Sequence, residues 1–151
     1  MDKISICSLN CQGLGNSKKR RDVLNHLRDK KFSILCVQDT HFLKQNENFI
    51  RNEWGYEAYF SSFTSQSRGV AIFIQNTFEF KVYNRISDQN GNYIILDIEI
   101  DKHRITLANI YGPNQDNPQF YVKLQNLITS QGNNHILIVG DWNLLLDPLV
   151  D

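Results

Sequence analysis

Five polar residues, Asn10, Asp39, Tyr111, Asp141 and Asn143, share one place in the sequence pattern. Asn10 follows the run Ile4–Leu9, and Asp39, after Gln38, follows Ser33–Val37. Tyr111 closes Ile105–Ile110, and Asp141 with Asn143 follows His135–Val139. Each run reads as a strand, so all five lie at strand carboxyl ends. Loops at that edge of an open α/β sheet are free of the sheet's own hydrogen bonding, and ligand sites gather there. The chemistry within reach is that of carboxylates, amides and one phenol around a polar ligand. Singly, each has a plainer reading. Asp141-Trp142-Asn143 is an Asx turn, and Tyr111 before Gly112-Pro113 is an aromatic packed at a strand end. Four such strand ends together are harder to assign to turns alone.

Other motifs carry less. Lys18-Lys19-Arg20-Arg21 offers either a grip on phosphates or a solvated helix start, where cations oppose the helix dipole. Gly13-Leu14-Gly15 has no third glycine and is no dinucleotide fingerprint. Cys7, Cys11 and Cys36 are odd in number with no C-x-x-C pair, which argues against a disulfide scaffold or closed zinc site and for a reducing, intracellular setting.

The elements that must position these residues alternate in type. A strand over Ile4–Leu9 leads to a helix capped at Asn16-Ser17 and ending near Lys30, with Val23, Leu24 and Leu27 on its apolar stripe. Ser33–Val37 is a short continuous apolar run, as in a strand covered on both faces. A second helix is expected from Asn46 to Trp54, with Phe49, Ile50 and Trp54 inward and Gly55 as its stop. Strands follow in series at Tyr56–Phe60, Gly69–Ile74, Phe78–Arg85, Tyr93–Ile100 and Arg104–Tyr111, with hairpin turns at Asp88–Asn92 and Asp101–His103. Pro118 opens a third helix carrying Phe120, Tyr121, Leu124, Leu127 and Ile128 inward and stopping near Gly132. His135–Val139 reads as another buried strand. Helix-flanked strands around a meander predict an α/β protein with mixed sheets.

At 151 residues, 41% hydrophobic and 21% charged, the chain has the composition of one ordinary globular domain. No run suits a membrane span, and the N-terminus lacks a signal peptide's apolar core. Sixteen basic residues offset sixteen acidic ones, so bulk charge is no attraction to nucleic acid, though a local patch remains open.

Leu9-Asn10-Cys11-Gln12-Gly13-Leu14 and Cys36-Val37-Gln38-Asp39-Thr40-His41 resemble the opening motifs of the endonuclease/exonuclease/phosphatase superfamily. Arg68-Gly69-Val70-Ala71-Ile72, Asn109-Ile110-Tyr111-Gly112-Pro113-Asn114 and Gly140-Asp141-Trp142-Asn143 continue the series in order, from Ile4 to Asp147. The wording is most similar to the endonuclease domains of non-LTR (LINE-type) retrotransposons. The resemblance implies a two-sheet, four-layered α/β sandwich, with residues 1–151 as the N-terminal portion of the domain and its C-terminal part missing.

It also implies Mg²⁺- or Mn²⁺-dependent phosphodiester hydrolysis, as a DNA-nicking endonuclease. Asp39 and Asn10 would serve the metal, and Asp141 with Asn143 would orient or deprotonate the attacking water. Asn143 and Tyr111 would bind the phosphate. DNA is the implied partner, with a downstream reverse transcriptase domain in the parent protein, no membrane, and a nuclear place of action. The sequence departs from the family in that Asp39 stands where Glu is usual, while Trp142 where Phe is commoner and Gly112 where Ala is common look tolerable. The family's final blocks, an acidic metal-supporting position and a Ser-Asp-His, have no counterpart here, and the chain alone is expected to nick DNA negligibly. His41 is read as structural. The alternatives are an inactive piece of a decayed element, or a superfamily phosphodiesterase acting on RNA or a phosphorylated small molecule. Sheet edges left open are expected at Ser33–Val37 and His135–Val139.

Overall fold

The computed structural model describes residues 3–144, so the end of the resemblance at Asp147 lies outside the described residues. Two four-stranded mixed sheets face each other, with helices on both outer sides. The first sheet orders its strands β1 (Ile6–Asn10), β2 (Ile34–Gln38), β4 (Val70–Ile74) and β3 (Ala58–Ser61). The second runs β5 (Phe80–Ser87), β6 (Tyr93–Ile100), β7 (His103–Tyr111) and β8 (His135–Asp141). β1 pairs parallel with β2 and β7 with β8, while the other pairings are antiparallel.

The parallel pairs exist because each is bridged by a helix. α1 (Ser17–Asp29) joins β1 to β2, and α3 (Pro118–Ser130) joins β7 to β8. Asn16 caps α1 by accepting the Lys19 N–H, and Asn117 caps α3 by accepting that of Phe120, ahead of Pro118. α2 (Glu47–Trp54) stops at Gly55, whose φ of 90° closes the helix in the left-handed region. Asp101 and Lys102, at φ 50° and 67°, form the two-residue turn between β6 and β7.

Three apolar layers result. Leu24 and Leu27 of α1 and Ile50 and Trp54 of α2 pack on Leu35, Val37 and Phe73 of the first sheet. Between the sheets lie Ile34, Cys36, Ile72 and Ile74 against Ile94, Leu96, Ile98 and Leu107. Leu124 and Ile128 of α3 cover Tyr93, Ile95, Ala108 and Ile110 on the outside of the second sheet. No helix among the described residues is long and apolar enough to cross a membrane.

Three expectations need correction. Phe49 does not face inward: it is 64% exposed, because α2 is only two turns long and turns Ile50 and Trp54 to the sheet. Of the two segments expected as open edges, β2 is the buried centre of its sheet. Among the described residues β8 is an edge, with Ile136, Leu137 and Ile138 exposed rather than buried. An apolar run does not reveal whether a strand lies inside its sheet or at the margin.

Candidate active site

The two parallel strand pairs carry the five residues. Asn10 lies opposite Gln38 across β1 and β2, and Tyr111 opposite Asp141 across β7 and β8. The sandwich stacks these pairs so that their carboxyl ends meet. There Asn10 Nδ2 donates to Asp141 Oδ2 at 2.7 Å, across 131 residues of sequence. Asn10 Oδ1 accepts the Gln12 N–H at 3.1 Å, which fixes the amide's orientation.

The second oxygen of Asp141, Oδ1, accepts the Asn143 N–H at 3.0 Å. This is the Asx turn that the bare sequence offers as the alternative to a site, and it holds the same carboxylate that Asn10 holds. Asn143 adopts φ 51°, and its Nδ2 donates to the Gly112 carbonyl at 2.6 Å. Tyr111 is secured by its backbone, which donates to Asn92 O at 2.7 Å and accepts Asn92 Nδ2 at 2.8 Å.

Beyond β2 the chain passes through two non-glycine residues in the left-handed region, Asp39 and His41, both at φ 59°. Such conformations cost on the order of 1–3 kcal/mol each and persist where surrounding bonds over-determine them. Here Cys11, Gly13 and Leu14 donate backbone N–H groups to the carbonyls of Gln38, Asp39 and Thr40, while Thr40 and His41 donate to Gly69 and Arg68. Gly13 is required, since a Cβ there would fall 2.7 Å from His41 Nδ1. The Asp39 carboxylate turns back into this loop: Oδ1 accepts the Arg68 N–H at 3.2 Å and lies 2.7 Å from His41 Nε2. His41, read from sequence as structural, thus touches the carboxylate itself.

Beneath the edge lies a polar contact that the motif reading missed. Gln38 Nε2 donates to Asn109 Oδ1 at 2.9 Å, and Asn109 Nδ2 donates to the carbonyls of Val37 and Ala71 at 3.1 and 2.9 Å. Both side chains are buried. They join the sheets one residue before Asp39 and two before Tyr111. The available signal was an amide inside the apolar strand Leu107–Ile110. Gly112, read from sequence as tolerable, is needed by this turn: a Cβ there would stand 2.1 Å from the Trp142 carbonyl.

The basic run divides. Arg20 is buried against Glu53, Lys18 pairs with Asp22, and Lys19 Nζ braces the loop after Asn10 by donating to the carbonyls of Cys11 and Gln12. Cys11 donates its thiol to Gln38 O, and burial pushes its pKa up to about 12. It is therefore protonated at neutral pH and no nucleophile.

Among the described residues no group of three or more His, Cys, Asp or Glu side chains is arranged to hold a metal. The edge offers oxygens instead, from the Asp39 and Asp141 carboxylates and the neighbouring amides. Oxygen donors are the type that suits a hard divalent ion. A cleft of about 690 Å³, lined by Ile4, Phe78, Phe80 and Ile100, is at the opposite end of the sheets and holds none of these residues.

The sequence model of the endonuclease/exonuclease/phosphatase family matches residues 7–149. A Xenopus laevis protein described as the transposon TX1 uncharacterized 149 kDa protein is 27% identical over 147 residues, 95% of this chain and 11% of that protein. Among solved structures, D. rerio TDP2 complexed with single strand DNA product superposes with a TM-score of 0.68 at 16% identity, covering 95% of this chain and 62% of that one. The endonuclease domain of TRAS1, a telomere-specific non-LTR retrotransposon, gives 0.67 at 12% identity, covering 95% and 61%. An AP endonuclease from Archaeoglobus fulgidus gives 0.57 at 22%, covering 97% and 60%. These likenesses carry the four-layered sandwich.

Proposed function

The chain belongs to the endonuclease/exonuclease/phosphatase family, and from that premise we propose that it forms the Asn10, Asp39 and Asp141 part of a divalent-metal-dependent, DNA-nicking endonuclease site of retrotransposon type. The observation that carries the reading is the Asn10–Asp141 bond. It joins the first and last described strands and aims a carboxylate at the edge where Asp39 and Tyr111 also lie. The transposon relative and the TRAS1 domain favour DNA as substrate over a lipid or small molecule.

In this reading Asp141 takes the proton of the attacking water. Its two oxygens are held by Asn10 and by the Asn143 backbone, so a lone pair faces the water with little loss of orientation at reaction. Tyr111 donates its hydroxyl to a phosphate oxygen as negative charge builds there, and Asn143 exchanges its Gly112 bond for another. Asp39, with Asn10 beside it, would hold the cation. When bound, Mg²⁺ or Mn²⁺ supplies neutralisation of the phosphate charge. Asp39 would hold that cation on a shorter arm than Glu, with Oδ1 already engaged by the Arg68 N–H and the His41 ring.

Residues 1–151 span about 60% of the solved chains matched. We read them as the N-terminal portion of the endonuclease domain, joined in the parent protein to a reverse transcriptase. Supercoiled-plasmid nicking tests the reading, on residues 1–151 and on the protein in its natural full-length context. Mg²⁺-dependent nicking that Asp141→Ala abolishes is expected in the full-length context. Nicking that survives Asp141→Ala, or that ignores chelation of the metal, overturns it.

A further inference from the structure

We propose that Phe63 and Arg68 form a stacking platform for an unpaired nucleobase of the strand whose phosphate occupies the Asp39 edge; the inference rests on the nuclease reading. Both residues sit in the loop joining β3 to β4. Arg68 is left-handed at φ 61°, and its backbone is fastened on both sides: its N–H donates to Asp39 Oδ1 and its carbonyl accepts the His41 N–H at 2.9 Å. The position of its side chain is thereby tied to that of the carboxylate.

The Arg68 guanidinium carbon lies 4.5 Å from the centre of the Phe63 ring, which is 39% exposed. The loop that carries the ring has a rigid backing. A Cβ added at Gly91 would come within 3.0 Å of Phe63 Cβ and 2.6 Å of Gly69 N, so the β5–β6 turn presses close against this loop. Gly69 N–H donates to Gly91 O at 3.0 Å and fixes that approach. Thr64 Oγ1, accepting the N–H groups of Gln66 and Ser67, stiffens the loop tip.

Four other guanidinium groups are taken up by oxygen. Arg20 holds Glu53, Arg28 the Trp54 carbonyl, Arg51 Asn48 and the Ala58 carbonyl, and Arg104 Asp97. Arg68 is in none of the ion pairs among the described residues. A planar cation backed by an aromatic ring, with donors uncommitted, accepts a base on its open face and a phosphate oxygen at its edge. Such a platform suits a strand with unstacked bases, since paired bases have no free face to give.

The probe is a short single-stranded oligodeoxynucleotide carrying 2-aminopurine, whose fluorescence falls on stacking, titrated without divalent metal while anisotropy reports binding. The wild-type chain is expected to bind and quench. Phe63→Ala and Arg68→Ala should weaken binding roughly tenfold and remove most of the quench. Arg68→Lys keeps the charge without the plane and should recover part of the binding but not the quench. Thermal melts like wild type are expected for all three, because the Asp39 bond comes from the backbone of residue 68.

Recovery of both binding and quench by Arg68→Lys would make this a point-charge phosphate contact and overturn the platform. Wild-type binding without quench overturns it too, and no binding overturns it together with the nuclease reading. Plasmid nicking on the same proteins separates the two ideas. Asp141-dependent nicking with a quench indifferent to residues 63 and 68 removes the platform alone. A platform-dependent quench with no metal-dependent nicking in the full-length context removes the hydrolytic reading and leaves the platform as a binding site.

Discussion

Asn10 spends both ends of its amide on position: one end anchors to Gln12, and the other holds Asp141. Asn10→Ala leaves the carboxylate on its Asx turn alone, free to swing by the fraction of an ångström that matters for in-line attack. Nicking by the full-length protein is expected to fall about a hundredfold in kcat with KM little changed, read by single-turnover kinetics. Unchanged kcat would mean that Asp141 needs no second anchor. At this scale the sequence was informative for residues that end strands, because a polar side chain after an apolar run is visible in one dimension. Gly112 and the Asp39–His41 contact were not visible. Each depends on what stands opposite: the Trp142 carbonyl across the β7–β8 ends, and the left-handed turn that folds His41 back over Asp39.

Among the elements, β6 and β7 form the hairpin that carries Tyr111, and one ion pair clasps it. Arg104 Nε donates to Asp97 Oδ1 at 3.0 Å with Nη2 on the other oxygen, and Asn133 Nδ2 adds a bond at 2.9 Å. The Arg104 bonds above all, with help from Asn133, hold the Asp97 carboxyl below the usual carboxylate range. A depressed folded-state pKa contributes stability above the unfolded value, near 3.9, and loses it as pH falls through the folded one. Wild type should therefore lose melting temperature below about pH 4 more steeply than Asp97→Asn does. Parallel acid limbs would show that the pair adds nothing. Helix limits, the meander and both hairpin turns were legible because caps, Pro118, Gly55 and alternation act locally. Strand order was not. β2 and β8 are equally apolar in sequence, yet one is central and the other marginal, since order is decided by which crossovers pack over which sheet.

At the scale of the molecule, the sheets are joined by an apolar layer with a buried polar crossing, Gln38 to Asn109. Asn109→Leu would take from Gln38 Nε2 the shortest of its three contacts, leaving Ser8 Oγ and the Cys36 carbonyl, and would leave the Val37 and Ala71 carbonyls without their side-chain donor. Each buried group left unpaired costs about 1–3 kcal/mol. Urea unfolding should show a loss of at least about 2 kcal/mol, above the roughly 1 kcal/mol typical of substitutions. The loss should come with reduced nicking, because the crossing sets the distance between the Asp39 and Tyr111 edges. A variant as stable as wild type would show the layer to be held by its apolar contacts alone.

The bond between Asn10 and Asp141 also sets an order in time. One partner leaves the ribosome near the start of synthesis and the other 131 residues later, a wait on the order of ten seconds at ordinary elongation rates. Throughout that interval β1 and β2 can pair and α1 can close over them, but nothing yet orients a carboxylate toward Asn10. The candidate active site is thus withheld from the growing chain until β8 has emerged and the second sheet has closed upon the first.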